Sequence, residues 1–81
     1  MRIVVKLFAA AAERAGRSAV AVELPPVSTV AALRAELISF VPELAGWLDR
    51  CAMAVDCEFA EDSLVLAEVS EVAVIPPVSG G

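Results

Sequence analysis

The sequence predicts an α+β fold, a four- to five-stranded sheet packed on one main helix, with an extended C-terminal tail. Three observations carry this expectation. Apolar residues alternate near both ends of the chain, at Ile3, Val5 and Leu7 and again at Val72 and Val74, the period that marks strands with one buried face. Between them one stretch repeats at helical spacing: Val30, Leu33, Leu37, then Phe40 or Val41. A single amphipathic helix laid across one sheet face is the simplest way to bury such a stripe.

Taken in order, Arg2 to Phe8 reads as the first strand, with Val4, Lys6 and Phe8 on its second face. Apolar residues on both faces mark it as central. Ala9 to Ala15 is alanine-rich and predicts a helical turn or two, stopped by Gly16. Ser18 to Leu24 alternates again, so residues 1–24 form a wide hairpin that Pro25 and Pro26 end. Ser28 or Thr29 caps the main helix, which runs to Phe40. Pro42 opens a short second helix over 42–49 that turns Leu44, Trp47 and Leu48 inward. For Trp47 the expectation is core packing, not a binding site. Ala52 to Val55 and Glu58 to Ala60 are short strands joined at Asp56-Cys57. Glu61 to Ser63 turns the chain toward Leu64 and Leu66. Ser70 to Pro76 is the last strand, with Val72 and Val74 inward and Glu71, Ala73 and Ile75 outward.

At 81 residues the chain makes one small domain, assigned to 1–76, followed by a flexible tail, 77–81. A chain this short buries only about 60–65% of its unfolded surface, which leaves little room for an enclosed ligand cavity. The net charge of −5 is unevenly spread, since residues 56–81 hold six acidic side chains and no basic one. That half repels nucleic acid, and no basic patch elsewhere offsets the repulsion. An acidic face instead favours a basic partner surface, through steering. Cys51 and Cys57, with no histidine in the chain, fit neither a zinc pattern nor a redox pair, so no metal is expected. Both are expected to be thiols in a reducing compartment, Cys57 buried and inert. With no secretory signal pattern and no membrane-length apolar run, the expected location is cytoplasmic.

Catalytic machinery within the chain is not expected. Histidine and tyrosine are absent, as are a phosphate-binding glycine loop and any nucleophile–base pair. Two features remain. If the helix covers the inner sheet face, then Val4, Phe8, Ala73 and Ile75 form an outward apolar patch, a docking face unless a loop covers it. Beyond it runs Ile75-Pro76-Pro77-Val78-Ser79-Gly80-Gly81. The prolines hold the backbone extended, the side chains then shrink to nothing, and Gly81 carries an ionised carboxylate at neutral pH. Such a stalk fits a narrow channel; the plain alternative is a frayed terminus.

These stretches resemble the small subunit of molybdopterin synthase, a ubiquitin-like sulfur carrier of the β-grasp fold with a mixed sheet. The matching pieces are Leu7-Phe8-Ala9 with Glu13 to Gly16, Thr29-Val30 with Leu33, Ala54 to Phe59, and above all Glu71 to Gly81. The resemblance implies that an adenylating enzyme of the ubiquitin-activating type activates Gly81 with ATP, which that partner binds; no cofactor is expected on this chain. A sulfur donor protein then forms a thiocarboxylate. Gly80 leaves the approach unobstructed, and Phe8, Ala73, Ile75, Pro76, Pro77, Val78 and Ser79 meet the synthase large subunit. There the tail delivers sulfur to cyclic pyranopterin monophosphate, within a heterotetramer whose acid–base residues lie on the large subunit. Nucleic acid and membrane are not expected partners.

The chain departs from the family pattern in three places. Glu68-Val69-Ser70 replaces a glycine-containing turn, which predicts a looser turn at 67–70; Asp56 stands where asparagine is common, and Ala12 where arginine is common. Rival readings are a thiazole-synthesis sulfur carrier, a ubiquitin-like protein modifier, and a simple interaction module with an inert tail. The proline pair argues against the first. Conjugates on lysines would mark the second, and the third would survive deletion of Gly81.

Overall fold

The strands Arg2–Leu7 (β1) and Ala19–Glu23 (β2) pair antiparallel, with Val5 opposite Val20 and Ile3 opposite Val22. The structure, a computed structural model, describes residues 1–67 and 71–77. Ala52–Val55 (β3), Glu58–Ala60 (β4) and Val72–Ile75 (β5) complete a five-stranded sheet in the order β2-β1-β5-β3-β4. β5 lies parallel to β1 and antiparallel to β3, so the sheet is mixed and its central strand is also its last. Helix Val30–Phe40 (α2), which follows the shorter helix Ala9–Ala15 (α1), crosses one face. This is the β-grasp arrangement, in agreement with the expected class.

Alternation decides the faces. Ile3, Val5, Leu7, Val20, Val22, Met53, Val72 and Val74 are buried under the helix residues Val30, Leu33 and Leu37. Thr29 is the cap: its Oγ1 accepts a hydrogen bond from Ala32 N at 3.2 Å. Ser28 plays a different part, its Oγ donating to Pro25 O at 2.6 Å. The segment after β4 satisfies the helix start, where Val30 N and Ala31 N donate to Leu64 O and Asp62 O, both at 3.0 Å. Leu66 is buried below this strap, whereas Leu64 stays exposed.

Several boundaries differ from expectation. At the helix end Val41 is buried and Phe40 is exposed, because the chain leaves helical geometry at Val41 and turns that side chain inward. The second helix over 42–49 does not form. Two 3₁₀ turns, Pro42–Leu44 and Leu48–Arg50, stand in its place, separated by extended Ala45 and by Gly46 at φ 77°. A left-handed glycine cannot continue a right-handed helix. The two turns still bury Leu44, Trp47 and Leu48. Ala9–Ala15 (α1) ends at Gly16, φ 73°, as expected, and Arg14 lies 4.5 Å from the centre of the Trp47 ring. The turn expected at 67–70 lies, from Glu68 to Ser70, outside the described residues.

Candidate functional site: the outer sheet face

Among the described residues no helix covers the second face of the sheet. The strand register carries one row of side chains across it, from Ala19 through Lys6, Ala73 and Ala54 to Phe59. A second row holds Ile75 opposite Ala52. One residue beyond the Leu7–Val74 pair, extended Phe8 stands beside Ile75. Phe8 is 50% exposed and Phe59 78%, unusual for large aromatic groups on a sheet face without a covering partner. Between them runs an open groove of ≈ 380 Å³ lined by Phe8, Ala54, Cys57, Phe59, Ala73 and Ile75, with Lys6 and Glu71 at its polar edge. The alanines keep its floor low, so a partner can approach the strands closely. Lys6 Nζ and Glu71 Oε2 form an ion pair at 3.0 Å, half-exposed.

The structure thus brings Phe8, Ala73 and Ile75 together with Val4 on the exposed face, as their phasing predicts. Pro76 and Pro77 follow directly from β5, partly buried and exposed respectively. Val78, Ser79, Gly80 and Gly81 lie outside the described residues. The strand phasing of the last strand alone does not point to Phe59, Ala54 and Cys57 as part of this face. A signal for them does exist in the chain: a two-residue turn at Asp56-Cys57 sets Val55 opposite Glu58, and hence Ala54 opposite Phe59.

That turn also corrects the expectation for Cys57. Asp56 and Cys57 have φ of 51° and 71°, a pair of left-handed residues typical of tight hairpin loops. The geometry points the Cys57 side chain out of the hairpin, and its thiol is exposed. Cys51, by contrast, is buried and its Sγ donates to Trp47 O at 3.8 Å. Burial pushes the Cys51 thiol pKa up, against the smaller opposing pull of Arg34, Arg14 and Arg50. Both thiols are free. Among the described residues no group of three His, Cys, Asp or Glu side chains is placed to hold a metal, and no helix is long and apolar enough to cross a membrane.

Known proteins share this sequence pattern and this geometry. The ThiS family matches residues 5–81. A molybdopterin synthase sulfur carrier subunit from Chlamydomonas reinhardtii is 35% identical over 83 aligned positions, covering 100% of both chains. One from Arabidopsis thaliana is 33% identical over all of this chain and 84% of its own. The crystal structure of SAMP1 from Haloferax volcanii superimposes with a TM-score of 0.91 at 30% identity, covering 100% of each chain. The buried and exposed faces of the sheet, the shared β-grasp and the match running to the last residue together place this chain in the ThiS family, among the relatives of the molybdopterin synthase sulfur carrier subunits.

Proposed function

We propose that this chain is the sulfur carrier subunit of a molybdopterin synthase, acting in the cytoplasm. The observation that carries the reading is its likeness, along the whole of this chain and at 33% and 35% identity, to proteins of that name. The outer face supports it, since a carrier needs a surface to dock by. The central strand β5 leads from that surface into Pro76 and Pro77 and on toward the terminal glycines.

In this reading residues 1–76 are the docking body and 77–81 the tail that bears the reactive group, the Gly81 carboxylate. A carboxylate resists nucleophilic attack because it is charged and resonance-stabilised. An adenylating enzyme of the ubiquitin-activating type, which also binds the ATP, joins it to AMP and releases pyrophosphate. Sulfide-level sulfur from a donor protein attacks the acyl carbon, AMP departs, and a thiocarboxylate remains. Phe8, Ala73 and Ile75 then seat the body on the large subunit while Pro76, Pro77, Val78 and Ser79 lead the tail inward. Gly80, without a side chain, passes the narrowest part. The thiocarboxylate sulfur attacks cyclic pyranopterin monophosphate and displaces an oxygen substituent, giving a thioester; water then cleaves the Gly81 acyl–sulfur bond and returns the carboxylate, and two such deliveries supply the dithiolene. Proton transfers fall to the large subunit, within a heterotetramer of two small and two large chains.

The test is intact mass after incubation with ATP, activating enzyme and a sulfide source. A gain equal to the difference between one sulfur and one oxygen atom is expected. No gain, under conditions that load an established carrier, overturns the reading. The likeness to SAMP1, a small archaeal modifier protein, favours a second use of the same activated tail: amide formation with lysines. Conjugates of this chain that vanish when Gly81 is deleted would establish it.

A further inference from the structure

The second edge of the sheet carries an arrangement that the sulfur-carrier reading does not use. β2 is an edge strand. Leu24 N donates to Met1 O at 2.8 Å and Leu7 N to Ser18 O at 2.9 Å, so the even-numbered residues of β2 turn their backbone groups toward β1. In an antiparallel ladder the alternate residues, Ala19, Ala21 and Glu23, therefore turn N–H and C=O outward. Natural edges of this kind are guarded by charged side chains, lysine above all, by proline or by a bulge. Here the outward residues are two alanines and one glutamate, and the pairing with β1 is unbroken over five residues.

Two further features flank the edge. A groove of ≈ 240 Å³ between β2 and α2 is lined by Ala21, Val22, Glu23, Glu36 and Phe40. Phe40 is 58% exposed, and Arg17, just before β2, sits 5.9 Å from the centre of its ring. The edge is thus basic at Arg17, before its start, and acidic at Glu23, at its end, while Phe40 lines the groove and also meets Arg17.

We infer that this edge pairs with the β2 edge of a second copy of the chain. An antiparallel two-fold centred on Ala21 sets Ala21 against its own mate and Ala19 against Glu23 of the other copy. All three outward residues on each side then meet their hydrogen-bonding counterparts. The same two-fold brings Arg17 of one copy toward Glu23 of the other, twice by symmetry. Parallel pairing would set like ends together. The contact is small beside a stable interface of about 1,600 Å², so the dimer is transient and forms at high protein concentration. It leaves the Phe8–Phe59 face open, and a carrier can dock to its large subunit from either state.

Sedimentation equilibrium of the full chain at low salt, carried to millimolar concentration, tests this. The expected mass rises from 8.4 kDa toward twice that value. Ala21→Pro removes only an outward N–H, which the β1 ladder does not use, and Ala21→Lys adds a guard; each should weaken association by about tenfold or more. Arg17→Glu should weaken it too, and adding Glu23→Arg and Glu36→Arg should restore it. Circular dichroism of each variant establishes that the monomer is folded. A chain that stays monomeric throughout, or a dimer that the folded Ala21 variants leave unchanged, overturns the inference.

Discussion

Asp56 and Glu71 are tied by two hydrogen bonds across fifteen residues of sequence: Asp56 N donates to Glu71 O at 2.8 Å, and Glu71 N donates to Asp56 Oδ1 at 2.9 Å. The first closes backbone to backbone; the second uses the one side chain of the tight turn that faces β5. Together they fix where β5 begins, and β5 is the strand that leads into the prolines. Asp56→Ala keeps the first bond and loses the second, and alanine tolerates the left-handed backbone less well. The expected cost is about 1–2 kcal/mol in a urea titration, whereas Asp56→Asn, which keeps an acceptor oxygen and suits the turn, should fall within about 0.5 kcal/mol of the parent.

Arg34 holds the helix to two loops. Its Nε donates to Asp62 Oδ1 at 2.8 Å, and its Nη1 to Leu48 O at 2.7 Å. The guanidinium is mostly covered while Asp62 is exposed, so the bond to the carbonyl dominates and the ion pair adds little. Arg34→Ala should cost about 1.5–3 kcal/mol by thermal or urea unfolding. Asp62→Ala should cost less, about 0–1 kcal/mol. Arg34→Lys should not restore stability, because an ammonium cannot serve both acceptors in that fixed fork.

What can and cannot be read from the chain follows one physical division. Period-two alternation needs no partner to be read, so Val72 and Val74 inward with Ala73 and Ile75 outward follow directly from the sequence. Features that depend on a single backbone angle are not legible there. Gly46 looks like any glycine within 42–49, yet its left-handed φ splits one helix into two turns. Cys57 looks like a small apolar residue, yet the hairpin turn expels it. The bond from Arg34 to its carbonyl partner on the Leu48 turn is a contact that spacing alone does not reveal. Phe59 falls between the two kinds: its pairing with Ala54 follows once the turn is taken as two residues long.

Core and docking face should separate cleanly in mutation. Leu33 is fully buried, and Leu33→Ala should cost about 2–5 kcal/mol through the cavity it leaves. Phe59→Asp, at an exposed position, should shift unfolding by no more than about 0.5 kcal/mol. In titration calorimetry with the large subunit the same change should reduce affinity by about tenfold or more, as loss of a buried aromatic anchor does. Unchanged binding by Phe59→Asp and by Phe8→Asp together would remove this surface as the docking site.

The two thiols should differ in reactivity and in their linkage to stability. At neutral pH iodoacetamide should modify Cys57 alone in the native chain and both cysteines in denaturant, read by mass. For Cys51 burial raises the folded pKa above the unfolded one. Its contribution is therefore fully present below the unfolded thiol pKa and is lost as pH rises through the folded value. Stability should decline in that alkaline window, and Cys51→Ala should flatten the decline while lowering stability at neutral pH slightly. The chain has no tyrosine to obscure the titration.

Deleting Gly81 tests whether the body and the reactive end are separable. The core cluster draws on residues from Ile3 to Val74, so the unfolding free energy of the truncated chain should match the parent within about 0.5 kcal/mol. Docking through Phe8, Phe59 and Ile75 should persist in a direct binding measurement, because those side chains are untouched. Gain of sulfur on incubation with the activating system should vanish. Gly80→Trp should behave in the same way for a different reason: the carboxylate remains, but a bulky side chain beside it cannot follow the tail through a narrow channel. A truncated chain that still exchanged oxygen for sulfur would show that the Gly81 carboxylate is not required and would overturn its assignment as the reactive group.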